Sequence, residues 1–144
     1  MKRVLKFIKL QPADKILFAE ALLIVVSVAL VLRFVPFRVF KASLSKRLSG
    51  KIKNAAADWA QINKIVRSVR FFSRFVPFTT CLTTSLAAML LLRRKGQHSV
   101  LRIGVTRDAE QKFKAHAWLE TNGRIIIGRL TTHREYTVLD SYFG

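Results

Sequence analysis

Thr80-Cys81-Leu82-Thr83-Thr84-Ser85-Leu86-Ala87-Ala88-Met89-Leu90-Leu91-Leu92-Arg93-Arg94-Lys95-Gly96 spaces its apolar residues as a helix does. Directly after it, Val100-Leu101-Arg102-Ile103-Gly104-Val105 alternates with a period of two. That switch of period across Gly96 decides the fold class. Leu82, Leu86, Met89, Leu90 and Leu92 form the apolar face of a helix over about 80–95, with Thr79 as its expected cap. Arg93, Arg94 and Lys95 complement the negative helix end, and Gly96 can end it in a left-handed conformation.

Working downstream, residues 107–111 read as a polar loop and 112–121 as a second strand. Asn122-Gly123 is a two-residue hairpin turn, 124–130 a third strand, and 136–139 a candidate fourth. A regular hairpin would set Thr121 opposite Arg124 and His116 opposite Arg129. Upstream, residues 12–33 read as a helix that Pro36 stops, with Pro12 in its first turn and Asp14 and Glu20 toward its positive end. Residues 38–48 form a short basic amphipathic segment. Residues 54–74 form a third helix, with Trp59, Ile62, Ile65, Val66, Val69 and Phe72 on one stripe and Lys64, Arg67 and Arg70 on the other face. Arg-Phe-Val-Pro-Phe occurs at 33–37 and again at 74–78, two similar helix exits without a wider repeat. The expected class is therefore α+β: helices first, then a small antiparallel sheet.

The 144 residues suffice for one core. Residues 1–77 are expected to be a helical region that completes that core and docks partners, and 78–144 to be the central unit. Lys and Arg number 26 against 8 Asp and Glu, a net charge of +18, and 16 of those basic residues precede residue 78. Such a surface suits an anionic partner. Ala21 to Leu32 is apolar except for Ser27, at the short end for a bilayer span; a buried core helix is the better expectation, with peripheral membrane contact as the alternative. The single cysteine fits a reducing compartment, and the basic N-terminus lacks a convincing signal-peptide cleavage site.

Cys81 would begin the helix, where exposed N–H groups and the helix dipole favour a thiolate. His116, in Ala115-His116-Ala117-Trp118-Leu119-Glu120, lies on the second strand. A thiol nucleophile needs a base to take its proton and donors to hold an oxyanion, and these two residues are candidates for nucleophile and base. Alternation puts His116, Trp118 and Glu120 on one face. Taken singly, a lone cysteine is more often an inert core residue and a lone histidine is equally ambiguous; Trp118 is expected to pack. His98 and His133 read as surface residues. No Cys/His spacing suits a metal, and no cofactor is expected.

In order along the chain, Cys-Leu-x-x-Ser-Leu-Ala at 81–87, Leu-Leu-Arg-Arg-Lys-Gly at 91–96, Ile-Gly-Val at 103–105, Ala-His-Ala-Trp-Leu-Glu at 115–120 and Asn-Gly-Arg at 122–124 resemble the stand-alone leader peptidases of lasso-peptide biosynthesis. Leu-Gln-Pro-Ala-Asp-Lys-Ile-Leu at 10–17 extends the likeness over nearly the whole chain. The resemblance implies N-terminal helices followed by a transglutaminase-like, papain-like core with the nucleophile helix packed on the sheet. It implies a cytoplasmic cysteine peptidase that removes the leader of a ribosomal precursor peptide, beside a small leader-recognition protein and an ATP-dependent cyclase. Cys81 would be the nucleophile and His116 the general base.

That family's fold would also supply a carboxylate from the strand after the histidine, and Gly128-Arg129-Leu130-Thr131-Thr132 has none. Glu120 lies about 13 Å along the strand from His116 at roughly 3.3 Å per residue, too far to orient the ring. Asp108, Glu135, Asp140, or a backbone carbonyl, stay open. The rival class is a non-enzymatic basic module for nucleic acid or anionic membrane, with Phe71, Phe72 and Phe75 beside Arg70 and Arg74 to stack or insert. No nucleic-acid motif is legible, so nucleic acid is not the expected partner.

Overall fold

The computed structural model describes residues 11–48, 56–130 and 136–142, with the side chains of 140–142 excepted. Among the described residues, four helices lead into one sheet: α1 (Pro12–Phe34), α2 (Phe37–Arg47), α3 (Trp59–Ser73), α4 (Cys81–Arg94), then β1 (Val100–Arg107), β2 (Phe113–Thr121), β3 (Arg124–Ile127) and β4 (Thr137–Tyr142). The sheet is antiparallel in the order β3-β2-β1-β4. The class is α+β, as the change of period implies.

Each helix boundary has a local cause. Pro12 opens α1 because its missing N–H would be unpaired in a first turn anyway. Pro36 stops the chain at the end of α1 and becomes the residue before α2. Asp58 caps α3 by accepting from Gln61 N–H at 3.1 Å, so the helix starts at Trp59 rather than earlier. Thr80, not Thr79, caps α4, with its Oγ1 accepting from Thr83 N–H at 3.3 Å. Thr79 instead donates to the Val76 carbonyl at 2.7 Å and ties down the turn after α3. Gly96 ends α4 at φ 77°.

The core joins both halves. Ala21, Val25 and Val28 of α1 and Ile62, Ile65, Val66 and Val69 of α3 meet Leu86, Ala87, Ala88, Met89, Leu91 and Leu92 of α4. Leu101, Ala117, Leu119 and Ile127 close that core from the sheet. The helix expected to be buried is buried on one side only: Leu22, Leu23 and Leu30 of α1 are exposed. Its length and hydropathy would allow a membrane crossing, yet its inner face belongs to the core of this fold.

Two irregularities in the sheet matter for the site. The β2–β3 register begins as a regular hairpin, Thr121 opposite Arg124 and Glu120 opposite Ile125, then slips so that Leu119 faces Ile127. One residue of β3 is bulged out, and the strand ends at Ile127 rather than at 130. The expected pairing of His116 with Arg129 is lost, and Gly128 is drawn back toward Trp118. A second bulge lies between Ile103 and Gly104 where β1 meets β4.

Candidate active site

Cys81 is the first residue of α4 and is exposed. Thr83 N–H is satisfied by the Thr80 side chain and Thr84 N–H by the Thr80 carbonyl at 3.0 Å. The first two amides of the helix, those of Cys81 and Leu82, have no acceptor among the described residues. Free N–H groups at a helix start attract negative charge, and these two flank the only thiol. Phe78, just upstream, holds a left-handed φ of 63°, which turns the chain from α3 into the cap. Arg33 of the first Arg-Phe-Val-Pro-Phe copy stacks over Phe78 of the second at 5.0 Å. Around this meeting point a cavity of about 430 Å³ is lined by Leu32, Pro36, Phe37, Phe78, Thr80 and Leu82 among others.

α4 runs along the sheet so that its C-terminal end leads into Val100, which pairs with Glu120. Its N-terminal end therefore lies toward the start of β2. Ser85 confirms the direction by donating to the Ala117 carbonyl at 3.4 Å. Cys81 stands one turn before Ser85, about 6 Å along the helix, and His116 is the residue before Ala117. The two elements bring both candidates to the same end of the sheet. The side chains themselves are not bonded together: Cys81 is not among the described partners of the ring.

Those partners are specific. His116 Nε2 lies 2.7 Å from the Gly128 carbonyl oxygen. A carbonyl only accepts, so Nε2 carries a proton and donates it to this bond. The ring stacks on Trp118 at 6.1 Å and 19°, and meets Tyr136 at 5.7 Å. Trp118 is 2% exposed and donates from Nε1 to Glu120 Oε1 at 2.8 Å. The other carboxylate oxygen of Glu120 accepts from Arg102 Nε at 2.7 Å. Glu120 does not touch the histidine, but it anchors the indole against which the imidazole rests.

Two glycines make this arrangement sterically possible. A Cβ on Gly104 would stand 2.9 Å from the Trp118 ring. A Cβ on Gly128, at φ 82°, would stand 2.8 Å from the Ala117 oxygen and 2.9 Å from Trp118 Cβ. The close approach that carries the Gly128 carbonyl to the imidazole is thus open only to glycine.

Of the acids left open by the sequence, Asp108 serves its own loop, accepting from the amides of Glu110 and Lys112 at 3.0 and 2.9 Å. Asp140 lies on β4 opposite Ile103, and Glu135 lies outside the described residues, as does His133. Sequence reading missed Gly128, Tyr136, Gly104 and Arg102 as neighbours of the site. Only Gly128 left a trace: it lies in the stretch 128–132 that lacks the expected carboxylate, and a backbone carbonyl is among the alternatives the sequence leaves open for the ring. No group of three or more His, Cys, Asp or Glu side chains among the described residues could hold a metal.

No curated protein and no solved structure gives a match. A family model described as the transglutaminase-like superfamily matches residues 22–141, which takes in α4, the sheet, and most of α1. This chain therefore belongs to the transglutaminase-like superfamily, a group that includes cysteine peptidases.

Proposed function

We propose that this protein is a cysteine peptidase that removes the leader from a ribosomally made precursor peptide of the lasso type, with Cys81 as nucleophile and His116 as general base. The observation that carries the reading is the Nε2–Gly128 hydrogen bond, because it fixes the orientation of the imidazole at the end of the sheet where the cysteine helix begins. The ordered motifs around Cys81 and His116, and membership of the superfamily, support it.

In this mechanism His116 Nδ1 takes the Cys81 proton. The thiolate attacks the carbonyl carbon at the end of the leader, and the amides of Cys81 and Leu82 receive the oxyanion. Nδ1–H returns the proton to the departing core-peptide amine, leaving the leader as a Cys81 thioester. His116 then deprotonates water, which attacks the thioester and releases a free carboxylate and thiol. In this mechanism Sγ and Nδ1 come within hydrogen-bond reach when substrate fills the site, as catalytic pairs of unliganded enzymes do. The cavity beside Thr80 and Leu82 is the groove for leader residues next to the scissile bond. The recognition protein, the cyclase and a cytoplasmic location belong to the same proposal.

A second reading, peripheral contact with an anionic membrane, is favoured by one patch. Phe71 of α3 is 41% exposed and Phe75, just past its end, 69%. Phe18 of α1 packs on Phe71 and Phe72, and Phe71 on Phe75, so the two helices share one exposed apolar surface.

The deciding experiment is mass spectrometry of precursor peptides encoded beside this protein, incubated with it and with Cys81→Ala, with and without the recognition protein. Free leader and core that depend on Cys81 are expected. Unchanged cleavage by the variant would sink the assignment. No cleavage in any combination, together with sedimentation on anionic vesicles, would put the membrane reading first.

A further inference from the structure

On the side of the molecule where α3 faces β3, a cavity of about 300 Å³ is lined by Trp59, Asn63, Val66, Arg67 and Arg70 from the helix and by residues 124–126 of the strand. It holds three guanidinium groups and no carboxylate. Arg67 and Arg70 are three apart on one helical ridge, so their charges repel. Arg124 is held over the Trp59 ring at 4.7 Å, which fixes the third cation at the rim.

The carboxylates that might have neutralised this cleft are engaged elsewhere. Asp14 pairs with Lys64, Glu20 with Lys95, Glu110 with Lys112, and Glu120 with Arg102. Asp58 caps α3, and Asp108 holds its loop. Every acidic side chain among the described residues is accounted for, and none serves Arg67, Arg70 or Arg124. Gathering three arginines without a counter-charge costs stability, and an anionic ligand removes that cost.

The strand beside the cleft indicates what kind of ligand. β3 is the last strand on its side of the sheet among the described residues, so one edge of its backbone is not paired within the sheet. An extended peptide laid along that edge would gain backbone hydrogen bonds. Its carboxylates would meet guanidinium forks suited to bidentate pairing, and Val66, Ile125 and Ile126 would give its apolar residues a floor.

We infer that the Arg67–Arg70–Arg124 cleft binds an extended peptide segment bearing carboxylates. The further step, that this segment is the leader of the substrate, rests on the leader-peptidase reading above.

The test titrates a short fluorescein-labelled peptide alternating Glu with Val and Thr into the full-length protein carrying Cys81→Ala, read by anisotropy. A Gln-for-Glu version of the peptide and a thymidine oligonucleotide are run beside it. Arg67→Gln, Arg70→Gln and Arg124→Gln should each weaken binding of the acidic peptide by about tenfold, the loss of one charge-assisted contact. Arg38→Gln and Arg47→Gln, exposed on α2, should change it by less than about twofold, as screened surface charges do. Equal losses at all five positions would assign binding to overall charge and overturn the inference. So would equal binding of the Gln peptide, or an oligonucleotide that displaces the acidic peptide and depends on the same three arginines. Cleavage of precursor with unchanged KM in the three cleft variants would overturn the leader's use of the cleft while leaving the peptidase intact. Cleft-dependent binding without Cys81-dependent cleavage would keep the peptide site and remove the peptidase.

Discussion

The two faces of β2 carry different burdens. Ala117 and Leu119 point into the core shared with α4, at 3% and 0% exposure. His116, Trp118 and Glu120 alternate onto the other face, where the contacts are polar and directional: imidazole to carbonyl, indole to carboxylate, carboxylate to guanidinium. One face is held by volume and tolerates only a matching shape. The other is held by proton positions and tolerates only a matching donor or acceptor. A strand separates the two because its side chains alternate, so substitutions one residue apart should fail in different ways.

The sharpest break in that comparison is His116→Ala. Loss of a general base typically costs about 10²–10⁴ in rate. Cleavage of the precursor should fall by that much, while stability in urea changes by about 1 kcal/mol, the worth of one hydrogen bond. An active variant would move the base elsewhere. The converse break is Leu119→Ala. Truncating a fully buried leucine costs about 2–5 kcal/mol, so the urea midpoint should drop sharply. Turnover per folded molecule should stay near that of the parent. A Leu119→Ala protein that is stable but slow would show that the two faces are not separable.

The α+β class and the helix spans were legible because they rest on local signals: apolar spacing, prolines at 12 and 36, the Asn-Gly turn and the switch of period at Gly96. Cys81 was legible as a helix start for the same reason. The surroundings of His116 were not, because they depend on a one-residue slip. The hairpin register extrapolated from Asn122-Gly123 fails at Leu119, and nothing in Arg124-Ile125-Ile126-Ile127 marks where the bulge falls. Three isoleucines in succession suit either face equally well, so the pattern carries no register. Glu120 was rightly judged too distant to touch the ring, but its role through Trp118 needs the side-chain rotamers. The exposed half of α1 was hidden because its apolar residues run all the way round the helix.

The mildest and most discriminating test compares Gly128→Ala with Gly123→Ala. Both glycines are left-handed, at φ 82° and 72°. An L-residue there costs about 1–2 kcal/mol on backbone grounds alone. A Cβ at Gly123 meets nothing within 4 Å, whereas one at Gly128 meets the Ala117 oxygen at 2.8 Å. Since that obstacle is backbone, it cannot swing aside, and the chain after β3 must move away from β2. The Gly128 carbonyl then leaves Nε2, and the imidazole loses the bond that fixes its tautomer. Both variants should lose a similar amount of stability from the φ term, with Gly128→Ala losing somewhat more from the clash. Only Gly128→Ala should shift the ¹⁵N resonances of His116 toward mixed tautomers, and only it should slow cleavage. If the two variants are equally active and the imidazole signals do not change, the Gly128 carbonyl does not position the ring. The search for the group that orients His116 would then turn to β4 and the segment before it.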